Sequence, residues 1–376
     1  MLRAIDQTDH ATVFRTGKFG RFGGMFVPET LVLSLNKLAA EFRFILHDPD
    51  FQAELGVALR DYVGRETPLY LATRLTDHYY KNSKGEGPLI YLKREDLNHC
   101  GSHKINNAIA QAMLAKRMHR KTVVAATGTG QHGVATAAAC AKLGLDCKIL
   151  MGNVDMERQS SNVLLMKQLG AQVKPVDGTF KDATSEAIRT WVGDLDNSYY
   201  LAGTAVGPHP CPNMVREFQS VIGKETRKQA LEKWGGKPDI IVACVGSGSN
   251  ALGIFHEFLR DEDVRLIGVE AAGNGLESGN HSATLAKGEV GVYHGAMSYL
   301  LLDDEGQIIV PHSIAYTLLC RLEGIVPALE AAHALAYLEK LCPTLPSGSK
   351  VVVNCSGRGE KDVATVLQYN KNKFPN

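Results

Sequence analysis

Short apolar runs alternate along the chain with longer stretches in which apolar residues recur every three or four positions. LIYLKRED (89–96), TVVAAT (122–127), CKILMG (147–152) and AQVKPVD (171–177) have the length and composition of strands. INNAIAQAMLAKRM (105–118), GVATAAACAKLGL (133–145) and SNVLLMKQLG (161–170) read as helices between them. The rhythm returns in the second half, with strands IIVACVG (240–246), VRLIGVE (264–270) and KVVVNCS (350–356) and a helix in VPALEAAHALAYLEKL (326–341). Strands separated by helices imply an α/β fold with mainly parallel sheets flanked by helices. A chain of 376 residues is too long for one ordinary core and suits two domains. The Gly- and Pro-rich loop AGTAVGPHPCPNM (202–214) separates the halves, and a charged helix, EFQSVIGKETRKQALEKWGG, follows it. The expected division is 1–217 and 218–376. No internal repeat or low-complexity tract interrupts it.

Composition narrows the function. Hydrophobic residues make up 44% and charged residues 22%, as in folded globular proteins. With 41 basic against 40 acidic residues, nothing in the overall charge favours nucleic acid or a membrane surface. No apolar run has the length to span a bilayer. The eight cysteines form no CxxC pair and sit mostly inside apolar patterns, which fits a reducing compartment. The opening MLRAIDQTDH shows neither a signal peptide nor a transit peptide, so a cytoplasmic, small-molecule enzyme is expected.

Two strands run into glycine-rich turns that open helices. The first is Gly128-Thr129-Gly130-Gln131-His132-Gly133, preceded by Thr127; the second is Gly246-Ser247-Gly248-Ser249-Asn250-Ala251. Both satisfy a dinucleotide fingerprint on paper, and a tight turn without any ligand would also explain either one. The physical core of the pattern is broader than a dinucleotide: glycines admit an anion to backbone amides at a helix start. Ser247, Ser249 and Asn250 supply enough hydroxyl and amide groups to wrap one terminal phosphate. Lys104, in Gly101-Ser102-His103-Lys104-Ile105-Asn106-Asn107, opens another helix. Most such lysines are solvated; one in a cleft beside a phosphate cradle can bond covalently to an aldehyde cofactor.

The run KREDLNHCGSHKINN, then GTGQHGVATA, VGSGSNA and NCSGRGEKD, resembles the β chain of tryptophan synthase, and GKETRKQALEKWGGKPD is most similar to its plant members. The likeness extends from FGRFGGMFVPET to the last strand. It implies a fold-type II pyridoxal 5'-phosphate enzyme of two α/β domains with the cofactor between them and no metal among the matched site residues. It also implies a β homodimer able to bind α subunits, and L-serine and indole as substrates giving L-tryptophan. By this resemblance Lys104 holds the cofactor and later removes the serine α-proton, with His103 beside the phosphate. Gly246, Ser247, Gly248, Ser249 and Asn250 form the phosphate cradle. Ser356 faces the pyridine nitrogen, Glu330 lies near the ring, and Thr127, Gly128, Thr129, Gly130, Gln131 and His132 bind the serine carboxylate. A neutral serine opposite the ring nitrogen favours β-elimination and replacement over transamination. Plant relatives are chloroplast proteins.

The sequence departs from that pattern twice. The family's ETGAGQHG is here AATGTGQHG, so Ala126 stands where a glutamate assists departure of the serine hydroxyl and orients indole. After His312-Ser313-Ile314 the family continues with a long segment that here is missing, including an aspartate that pairs with the arginine matching Arg158. Two further expectations follow from these departures. One is a β-like chain that retains only the binding and stimulation of an α subunit, with Lys181 at the contact. The other is a serine deaminase or related lyase.

Overall fold

The computed structural model describes residues 13, 15–82, 87–301, 317–363 and 366. The junction after Ile314 and the opening decapeptide lie outside them. The chain forms two compact units. The first draws on Met1–Val63, Lys104–Phe218 and Thr284–Val310; the second draws on Gly64–His103, Gln219–Ala283 and Pro311–Asn376. The chain crosses between the units after Val63, His103, Phe218 and Ala283, so the units interleave along the sequence. The reason is strand pairing. Leu89–Arg94, expected in the N-terminal half, finds its hydrogen-bonded neighbour in Lys350–Cys355, a partnership no local pattern announces.

The first unit is built on a four-stranded sheet in the order Gln172–Val176, Asp146–Gly152, Thr122–Thr127, Ser198–Tyr200, all parallel. Helix Phe180–Val192 covers one face, where Ala183 and Ala187 pack on Val124, Ala126 and Leu150. Helices Lys104–Arg117 and Gln131–Leu143 are rich in buried alanine, which lets backbones approach closely. The expected strand at 171–177 is trimmed at both ends, and the helix expected from 133 begins at Gln131, inside the glycine motif. This unit also carries an antiparallel sheet, Lys18–Phe19, Phe22–Gly23, Ala296–Leu300, Glu289–Tyr293.

The second unit holds a five-stranded sheet in the order Arg265–Val269, Ile240–Cys244, Lys350–Cys355, Leu89–Arg94, Leu69–Leu71. The first four strands are parallel and the last is antiparallel. Alternation along the central strand sorts its two cores. Val351 and Val353 face Leu75, Tyr79, Leu335 and Leu338 from helices Thr73–Asn82 and Leu329–Leu341. Val352 faces Ile222 and Ile254 from helices Val221–Trp234 and Ser249–Phe255. Each such side chain contributes about 1.5–3 kcal/mol when fully buried. The charged segment expected as one helix over 217–236 is two, Cys211–Gln219 and Val221–Trp234.

Burial also takes in charge. Lys93, on a sheet strand, is fully buried and donates to Thr67 O at 2.8 Å and Glu225 Oε2 at 2.8 Å. Arg65 reaches Glu225 and, bidentately, Glu95 at 2.8 Å. Burial favours the neutral acid at Glu95, but the Arg65 guanidinium overrides it and holds the carboxyl far below its usual range.

Candidate active site

In the first unit the chemistry gathers where strand Thr122–Thr127 ends. Gly130 adopts φ +85° and caps helix Gln131–Leu143; a Cβ there would lie 2.6 Å from Asn162 Cβ. Asn162 Nδ2 donates to Thr129 O at 2.8 Å, and Gly133 N donates to Thr127 Oγ1 at 3.1 Å, so the loop is fixed from both sides. Lys104, at the start of its helix, donates from Nζ to Gly203 O at 2.5 Å. The adjoining carbonyls are taken too. Ala202 O accepts from Asn107 Nδ2 at 2.8 Å and Gln111 Nε2 at 2.7 Å, and Leu201 O accepts from His132 Nε2 at 3.1 Å. Thus the backbone at 201–203 sets the lysine, the histidine of the glycine loop and a buried polar stripe of the lysine helix. Sequence reasoning missed that stripe. Asn107 and Gln111 read as ordinary polar helix positions, yet both are fully buried.

Burial drives the His132 imidazole down to about 3, and the Lys104 ammonium acts in the same direction. The ring is therefore neutral, with its proton on Nε2, and its Nδ1 is a buried acceptor with no partner among the described residues. Gln131 Oε1 is equally without one. Ala126, the departure from the expected glutamate, is buried in the apolar cluster of Val124, Leu150, Ala183 and Ala187, with Phe180 packed against it. Its methyl belongs to the core beneath the loop. Arg158, exposed at the end of helix Asn153–Arg158, makes no ion pair among the described residues.

The second unit assembles the other expected residues. His103 Nδ1 donates to Ser356 O at 2.9 Å, and its Nε2 lies 2.9 Å from Ser249 Oγ. Ser356 Oγ is 3.7 Å from Cys244 Sγ, whose acidity burial lowers, raising the pKa to about 11. Asn250 Nδ2 donates to Cys244 O at 3.0 Å, and Asn354 Nδ2 reaches Asn250 Oδ1 at 3.2 Å. So His103, Ser249, Asn250 and Ser356 form one hydrogen-bonded group, in which Cys244 and Asn354 were not foreseen. Gly246 and Ser247 are exposed, and Gly248 takes φ +80° ahead of helix Ser249–Phe255. Glu330 accepts from Lys361 Nζ at 3.2 Å, and its charge adds to the rise at Cys244. Burial raises the Glu330 acid, but the Lys361 charge and a backbone hydrogen bond outweigh it, so the carboxyl stays below its usual range.

These donors fit a phosphate. A Cβ built on Gly246 meets nothing within 4 Å, so the loop borders open space. Ser247 and Ser249 bring hydroxyls to the same turn, with His103 against Ser249. Lys104 is bonded to His103 through the peptide link and offers the primary amine that an aldehyde requires.

Comparison with known proteins agrees. A family model described as pyridoxal-phosphate dependent enzyme matches residues 61–357. Among solved structures, an L-serine ammonia-lyase from Rhizomucor miehei superposes with TM-score 0.60 at 19% identity, covering 82% of this chain and 98% of that one. The processed form of threonine deaminase isoform 2 from Solanum lycopersicum gives TM-score 0.58 at 20% identity, covering 89% and 88%. Both likenesses are of fold, the fold-type II arrangement of mainly parallel sheets flanked by helices. With the family model spanning most of the sequence, the chain belongs to the family of pyridoxal-phosphate dependent enzymes.

Proposed function

We propose that this chain acts on L-serine as a lyase of the tryptophan synthase β kind, with addition of indole slowed by Ala126. The observation that carries the reading is the joint placement of Lys104 and His132 on the carbonyls of Gly203 and Leu201. A base and a substrate loop are thereby set by one stretch of backbone. The bound cofactor supplies an electron sink for the pair left when the substrate α-proton departs. Lys104 Nζ takes that proton. The amides of 128–130 orient the substrate carboxylate, while Ser247, Ser249 and His103 hold the phosphate and Ser356 meets the ring nitrogen without a charge. Glu330, tied to Lys361, bounds the ring side. Without a carboxylate at 126, departure of the hydroxyl and proton transfer from indole lose an acid–base group, a change of about 10²–10⁴-fold in rate. The fold neighbours, an L-serine ammonia-lyase and a threonine deaminase, support a hydroxy-amino acid as substrate.

The test is the visible absorbance of purified protein loaded with pyridoxal phosphate, before and after L-serine. A cofactor band that changes on serine addition in the wild type and is absent in Lys104→Ala is expected. A band that serine leaves untouched sinks the reading. The apolar setting of Ala126 also favours a second reading, a β-like chain, paired as a homodimer, that binds and stimulates a tryptophan synthase α subunit. Indole release by purified α subunit, unchanged on adding this chain, would exclude it.

A further inference from the structure

The second unit contains an open cleft of about 370 Å³ whose lining includes none of His103, Ser249 and Ser356. One wall is charged. Arg94 and Asp96 neutralise each other through hydrogen bonds of 2.7–3.1 Å. Arg358 and Glu360 also line the cavity; both are exposed, and neither makes a side-chain ion pair or hydrogen bond among the described residues. Asn98 is 4% exposed and spends its Nδ2 on Glu95 at 2.7 Å. Its Oδ1 is buried with no donor among the described residues. The other wall is apolar, formed by Leu97, Ile325 and Val326. The Arg358 stem passes over Gly101, which leaves it room: a Cβ there would lie 2.3 Å from Arg358 Cδ.

A cationic group, an anionic group and an orphaned acceptor beside an apolar wall call for a ligand with one carboxylate, one ammonium and an apolar side chain. The lining charges cancel, which disfavours a phosphate. We propose that this cavity binds an apolar α-amino acid. Its carboxylate meets Arg358, its ammonium meets Glu360 and Asn98 Oδ1, and its side chain lies along Leu97, Ile325 and Val326. The wall is continuous with the residues that flank the cofactor loop. Arg358 N donates to Gly101 O at 2.9 Å, Ser102 bridges Gly357, and His103 N donates to Ser356 O at 3.0 Å. A ligand here is therefore an effector placed to act on Ser356 and His103, and its binding stands or falls independently of the serine chemistry proposed above.

Calorimetric titration of the cofactor-loaded protein with L-leucine, in saturating L-serine, tests this. Leucine is expected to bind, and 4-methylpentanoate and isoamylamine, each lacking one charged group, to bind at least about tenfold more weakly. Arg358→Gln and Glu360→Gln should each weaken leucine about tenfold or more while keeping the wild-type cofactor spectrum. Absence of leucine binding overturns the proposal. So does 4-methylpentanoate binding as tightly as leucine, which would make this a plain anion site. Wild-type leucine affinity in either variant overturns it too.

Discussion

His132 shows how one buried ring carries a pH signature. Its pKa in the folded chain is about 3, against roughly 6.5 for an exposed histidine. Above about pH 6.5 both folded and unfolded forms are neutral and the ring's contribution is complete. As pH falls from there toward 3, the unfolded chain takes up a proton that the folded chain refuses, and stability drains away. Urea midpoints measured from pH 7 to pH 4 should fall more steeply for the wild type than for His132→Asn, by about one proton. Parallel slopes would mean that the ring is not buried neutral. His132 and Ser249 stood out in the sequence as parts of glycine loops, whereas the roles given to Lys104 and Ser356 rested on the family resemblance. What holds His132 and Lys104 was not legible. Their partners are main-chain carbonyls at 201 and 203, far along the chain and without side-chain chemistry to announce them. Asn107 and Gln111 were hidden for the same reason, since a polar residue in a helix reads as solvated until its distant acceptor is known.

Elements were legible in proportion to their length and apolar content. The strands at 122–127, 240–244 and 350–355 and their helices follow from periodicity. Lys18–Phe19 and Phe22–Gly23 are two residues each, too short to carry a period, so the antiparallel sheet went unread. Polar residues inside strands hide their burial as well. Lys93 looks like a solvent-facing residue of LIYLKRED but is fully buried and paired. Its loss is therefore costly: Lys93→Met leaves the Glu225 carboxylate with Arg65 as its remaining cation in this network, in low dielectric. Breaking such a pair costs about 3–5 kcal/mol. A guanidinium melt of this variant should show that loss, and a shift below about 1 kcal/mol would show that Arg65 suffices.

For the whole molecule, interleaving has a measurable outcome. If the halves were sequential, residues 219–376 would fold alone. In the structure they lack Leu69–Leu71 and Leu89–Arg94, two of the five strands of their sheet, and Lys350–Cys355 loses one hydrogen-bonded neighbour. That fragment is expected to give a weakly ordered far-ultraviolet circular dichroism spectrum without a cooperative thermal transition; a sharp melt would show the second unit to be self-sufficient. The order of strands also sets a timetable. Lys350–Cys355 lies between Ile240–Cys244 and Leu89–Arg94, and leaves the ribosome after both. Until it arrives, the nascent chain carries two open strand edges for chaperones to shield, and Ser356 is not yet available to His103. A chain that lacks this strand keeps both edges open and leaves His103 without its Ser356 acceptor.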